Sequence, residues 1–98
     1  MALTHALYAP GELIRKVADD ARALRLSQDL SRKSLAARSG VPEATIKKFE
    51  TTGRVSFESL TLLADAMGIS DRLVQLFATE SPPSLDAIKR GPRLRGRK

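Results

Sequence analysis

The chain contains no cysteine and no tryptophan, and its single histidine is His5. Disulfide frameworks, thiolate metal sites and cysteine nucleophiles are therefore excluded, and one imidazole is too little for a histidine metal site. Aromatic residues make up only 4% of the 98 residues, and the recurring apolar types are leucine and alanine. That balance favours an all-α fold, with helices packed through small and branched side chains, over a β-sandwich. No run approaches the roughly 20 apolar residues of a membrane span. Met1 to Ala9 has neither the basic start nor the long apolar stretch of a secretory leader, so the expected location is cytoplasmic. No Ser, His and acid arrangement, metal-ligand cluster or phosphate-cradling glycine loop is present, so neither an enzyme nor a metal or other cofactor is expected.

Apolar residues account for 42% of the chain, enough for one modest core and too few for a multi-domain protein. The net charge of +6, from 17 Lys and Arg against 11 Asp and Glu, is unevenly placed. Lys89, Arg90, Arg93, Arg95, Arg97 and Lys98 crowd the last ten residues with no acid among them. A second basic stretch holds Arg32, Lys33, Arg38, Lys47, Lys48 and Arg54 against Glu43 and Glu50. Both regions suit a polyanionic partner.

Periodicity places five helices. Leu13, Ile14, Val17, Ala18, Ala21 and Leu24 line one face of a first helix over residues 11–27. Asp29 tolerates a left-handed turn, and Ser31 caps a second helix that runs to Arg38 before Ser39-Gly40. Pro42 opens a third over residues 42–50, with Ile46 and Phe49 facing inward, and Thr51 to Arg54 read as a loop. Ser56 caps a fourth carrying Leu60, Leu63, Ala64 and Met67, ended by Gly68, and a fifth starts near Ser70-Asp71 with Leu73, Val74, Leu76 and Phe77. From Ser81-Pro82-Pro83-Ser84 onward, too few apolar side chains remain to offset ordering entropy. The expected organisation is an N-terminal arm over 1–10, a compact helical domain over 11–79, and a disordered basic tail over 80–98.

The second and third helices, with a turn at Ser39-Gly40-Val41, form the pattern in which the second of two short helices enters the DNA major groove. The stretch from Arg22 to Ile69 resembles the lambda-repressor and Cro type, or XRE, helix-turn-helix family. Its Arg22-Ala-Leu-Arg25, Leu30-Ser31, Ser34-Leu35-Ala36, Ser39-Gly40-Val41, Ala44-Thr45-Ile46, Phe49-Glu50 and Leu60 to Ile69 follow the family pattern without a gap. Tyr8-Ala9-Pro10, Leu13, Ala44-Thr45-Ile46 and Phe49-Glu50 are similar to the HipB-like antitoxin branch. The first helix is about a turn longer than in that branch, and the basic tail is foreign to it. Arg32 stands where the family usually has Gln, and Asp29 where it often has Gly.

The resemblance implies a five-helix domain and roles for particular residues. Glu43, Ala44, Thr45, Lys47 and Lys48 fall at base-reading positions, with chemistry to match: lysine donates to guanine O6 or N7, glutamate accepts from cytosine N4, and Ala and Thr methyls meet a thymine methyl. The alternative for each is a solvated polar face. Arg32, Lys33 and Arg54 flank that helix and would contact phosphates. Arg25 and Glu50 match positions that form a buried ion pair. Arg32 and Glu43, opposite in charge where the family has a pair of amides, are expected to bridge each other. Leu73, Val74, Leu76 and Phe77 read either as core of the fifth helix or as the surface of a homodimer on a pseudo-palindromic site.

The leading functional expectation is thus a sequence-specific, DNA-binding transcriptional regulator, an autoregulating repressor associated with the nucleoid. The alternative is an antitoxin that binds a HipA-like kinase toxin and represses the shared operon. A third reading, a nucleic-acid-bridging protein that contacts the basal transcription machinery, predicts little operator preference. The tail from Lys89 would lie along phosphates or in the minor groove, with solubility or docking to an acidic protein as competing accounts.

Overall fold

The computed structural model describes residues 8–79; His5 and the basic tail lie outside them. Among the described residues there are five helices and no strand: α1 (Pro10–Ser27), α2 (Arg32–Ser39), α3 (Glu43–Thr52), α4 (Phe57–Ala66) and α5 (Ser70–Val74). No helix is long and apolar enough to cross a membrane, among the same residues.

Local chemistry accounts for most of the boundaries. Pro10 starts α1 at a position whose N–H has no intrahelical partner in any case, and Glu12 Oε1 accepts from the Ala9 N–H at 3.0 Å. The chain leaves α1 through Asp29 in the left-handed region, at φ 58°, and the Gln28 amide donates to the Met67 carbonyl at 2.9 Å, tying the ends of α1 and α4. Ser31 and Ser56 cap α2 and α4, each hydroxyl accepting from the N–H three residues on at 3.0 Å. Gly40 ends α2 at φ 82°, where an L side chain would be strained, and the Val41 N–H donates to Ser39 Oγ to close the turn into α3.

Two segments depart from the periodicity. Thr51 and Thr52, expected in a loop, are the last residues of α3: their hydroxyls donate back to the carbonyls of Lys47 and Lys48 at 2.8 and 2.6 Å and hold these β-branched residues in the helix. At the other end of the domain α5 stops at Val74, so Leu76 and Phe77 lie in a following turn rather than in the expected helix. The helix has no side-chain cap and no buried residue to prolong it.

The core is built from all of the first four helices and the turns between them. Ala18, Leu30, Leu35, Val41, Ile46, Phe49, Leu63 and Met67 are buried together, with Ala21, Leu24, Ala36, Val55, Leu60 and Ala66 packed around them. The apolar face of α1 is covered only from Ala18 onward, whereas Leu13, Ile14 and Val17 remain about half exposed. Length explains this: the 18-residue α1 is about 27 Å long and the ten-residue α3 and α4 only about 15 Å, so the bundle cannot cover its first turns.

Candidate nucleic-acid interface

α3 is two-faced. Ile46 and Phe49 are 0% and 3% exposed against the core, while Glu43, Ala44, Lys47 and Lys48 are exposed and Thr45 is half-buried between the two faces. A period of 3.6 residues puts 43, 44, 47 and 48 side by side, so the outward surface is one contiguous polar strip. Lys33 and Arg54 are exposed at its flanks, one on α2 and one just after α3. Glu43, Ala44 and Lys47 share a shallow groove with Arg32. Of the expected residues, Arg32, Glu43, Ala44 and Lys47 thus meet around one groove, and Lys33 lies beside Arg32 and Glu43.

Behind this surface lies a buried ionic cluster. Arg25 on α1 grips Glu50 on α3 with two parallel bonds, Nε to Oε2 at 2.7 Å and Nη2 to Oε1 at 2.9 Å, and its Nη1 donates to the Leu30 carbonyl at 2.9 Å. The two side chains are 6% and 2% exposed. Arg32 adds a second cation, Nε to Glu50 Oε1 at 2.9 Å, with its own side chain 29% exposed. Burial pushes the Glu50 carboxyl up, but the hydrogen bonds from Arg25 and Arg32, with their charges, outweigh it and leave the group below its ordinary value. The bond to Glu50 in turn raises the Arg25 pKa, against its burial.

The cluster overturns the expected bridge between Arg32 and Glu43. Arg32 turns to Glu50 because a carboxylate withdrawn from water gains more from a second guanidinium than an exposed one, whose attraction is screened. Glu43 has no ion pair or side-chain hydrogen bond within the described residues.

Arg15 is a positioning residue that the sequence reading missed. From α1 it donates Nη1 to the Thr51 carbonyl at 2.9 Å and Nη2 to the Glu50 carbonyl, closing the C-terminal end of α3, and it also pairs with Asp19 at 3.0 Å. A signal was present, since the last turn of α3 has no basic residue of its own and leaves its carbonyls in need of an outside donor.

Residues 22–74, more than half of the chain, match a family model described as Helix-turn-helix, of the lambda-repressor or XRE-like kind. The chain belongs to this helix-turn-helix family, whose members are DNA-binding regulators. The match is to the family as a whole and does not reach the antitoxin branch. No curated protein and no solved structure gives a significant match.

Proposed function

We propose that the chain is a sequence-specific transcriptional repressor that lays α3 in the major groove and binds its operator as a homodimer. The observation that carries this reading is the segregation on α3: one face is sealed into the core through Ile46 and Phe49, and the other presents Glu43, Ala44, Lys47 and Lys48 to solvent. Lys33 and Arg54 would anchor the flanks on phosphates, which orients the helix without reading sequence. Arg32 keeps a lesser share in phosphate binding, since Glu50 holds its Nε.

Replacing Lys47 or Lys48 by alanine should weaken binding to the operator by about 1–3 kcal/mol and relax preference at one base pair, with folding unchanged because both side chains are exposed. Titration of the chain's own upstream region against random duplex checks this. Equal losses on the two DNAs would reduce the lysines to phosphate contacts.

The dimer reading is supported by the C-terminal end of the described residues. Val74, Leu76 and Phe77 are 74%, 52% and 92% exposed, and Leu73 beside them is half-buried. Three large apolar side chains left in water suit a second copy related by a twofold axis, the symmetry that pseudo-palindromic sites with half-sites about 34–36 Å apart require. Phe77→Asp with Val74→Asp should leave a monomer by sedimentation and shift DNA binding to a weaker, steeper concentration dependence. A wild-type chain that sediments as a monomer at tens of micromolar and still fills both half-sites independently would refute the interface.

A further inference from the structure

Glu43 is an acid on the surface proposed to meet a polyanion, and among the described residues it has no ion pair or side-chain hydrogen bond. Arg32, which shares its groove, is held at Nε by Glu50. Lys47 stands four residues on, the favourable spacing for a Glu to Lys pair, yet makes no bond to it. An unpaired carboxylate in the groove is repelled by phosphates and by most base edges, because guanine N7 and O6, adenine N7 and thymine O4 are all acceptors. Only two groups there donate: the amino group of adenine, which sits beside the acceptor N7, and that of cytosine, which has no acceptor of its own base next to it. A carboxylate can accept but not donate, so it fits cytosine, whereas adenine calls for an amide.

From this we infer that Glu43 selects a cytosine in each operator half-site through the exocyclic amino group, and that Glu50, by holding Arg32, leaves Glu43 free to do so. The inference rests on the proposal of a sequence-specific reader. Lys47 shares its face and suits a neighbouring guanine, so acceptor and donor alternate along the strip as they do along a C·G step. The competing account of Glu43 is that its charge only complements the N-terminus of α3. That account predicts an effect on stability and none on sequence preference.

Selection of bound duplexes from a randomised pool, with wild type, Glu43→Gln and Glu43→Ala, tests the assignment. Wild type should enrich a motif with an invariant cytosine. Glu43→Gln should turn that position towards adenine, and Glu43→Ala should leave it undetermined, with the remaining positions kept in both. As a second measurement on the unaltered protein, a duplex carrying 2-pyrimidinone in place of that cytosine, which lacks only the amino group, should bind wild type about tenfold more weakly. Glu43→Ala should bind the two duplexes alike. A motif that survives Glu43→Ala with its cytosine intact, or equal wild-type affinity for the duplex without the amino group, overturns the inference and leaves the reader standing. Enrichment of no motif at all overturns the reader, and the inference with it.

Discussion

Glu50→Gln should destabilise the domain by about 3–5 kcal/mol, because removing one charge from a buried pair leaves its partner uncompensated. Here two arginines are left, Arg25 gripping with two bonds and Arg32 with one. A domain of this size is stable by only about 5–15 kcal/mol, so the variant should unfold at markedly lower urea and be partly unfolded near 37 °C. The two cations should not weigh equally. Arg25→Ala removes a bidentate bond at 6% side-chain exposure, and Arg32→Ala a single bond at 29%, so the first should cost clearly more. The pH dependence has a definite sign. The Glu50 carboxyl titrates lower in the folded chain than in the unfolded one, so its contribution is present above the unfolded value, about 4.3, and is lost as pH falls through the lowered folded value. Wild-type stability should therefore decline on acidification below about pH 4.3 more steeply than that of Glu50→Gln. Parallel pH profiles for the two proteins would show that this carboxylate is not what acid attacks.

Gly53→Ala should be nearly as damaging, for a reason of geometry. Gly53 ends α3 at φ 83°, and a Cβ built there would lie 2.3 Å from Ile14 Cγ2 on α1. The left-handed backbone costs a residue with a Cβ about 1–2 kcal/mol, and forcing a methyl into an occupied contact adds about 1–3 kcal/mol. Ile14 has little room to yield, because a β-branched side chain in a helix is held to one χ1 well. Truncating it should return part of the loss: Gly53→Ala combined with Ile14→Ala should sit closer to Ile14→Ala alone than additivity allows. Strict additivity in denaturant melts would mean that the two positions do not meet.

Local signals were the legible ones. Ser31, Ser56, Gly40 and Gly68 mark helix ends because a cap or a left-handed turn depends on a few neighbouring residues, and the inward face of α3 followed from the spacing of Ile46 and Phe49. The lengths of α3 and α5 were less legible. Thr51 and Thr52 look like loop residues until their hydroxyls are seen to bond the preceding turn, and α5 is short because it has neither a side-chain cap nor a buried residue to extend it. The pairing of Arg25 with Glu50 came from the family resemblance, because no spacing along the chain says which of several cations reaches a carboxylate 25 residues away. Arg32 illustrates the same limit. Its choice between Glu43 and Glu50 is decided by burial, which is a property of the assembled fold. Arg15 acts across 35 and 36 residues on backbone carbonyls; the missing basic residue in the last turn of α3 shows that a donor is needed there but not which side chain supplies it.

The cations of the domain divide into those already spoken for and those still in water. Arg15, Lys16, Arg25 and Arg32 hold carboxylates or carbonyls within the fold, whereas the side chains of Arg22, Lys33, Arg38, Lys47, Lys48, Arg54 and Arg72 make no ion pair or hydrogen bond among the described residues. The second set has nothing to release before it meets a phosphate or a base except hydration and counterions. Encounter with DNA then needs no internal rupture, so its rate should be set by diffusion and ionic strength rather than by an opening step. Within the first set the exposed pairs of Arg15 with Asp19 and Lys16 with Asp20 are screened by that salt, but the Arg25 to Glu50 cluster lies behind the surface where mobile ions do not penetrate. Added salt should accordingly loosen the complex from its rim while the domain that holds α3 keeps its shape.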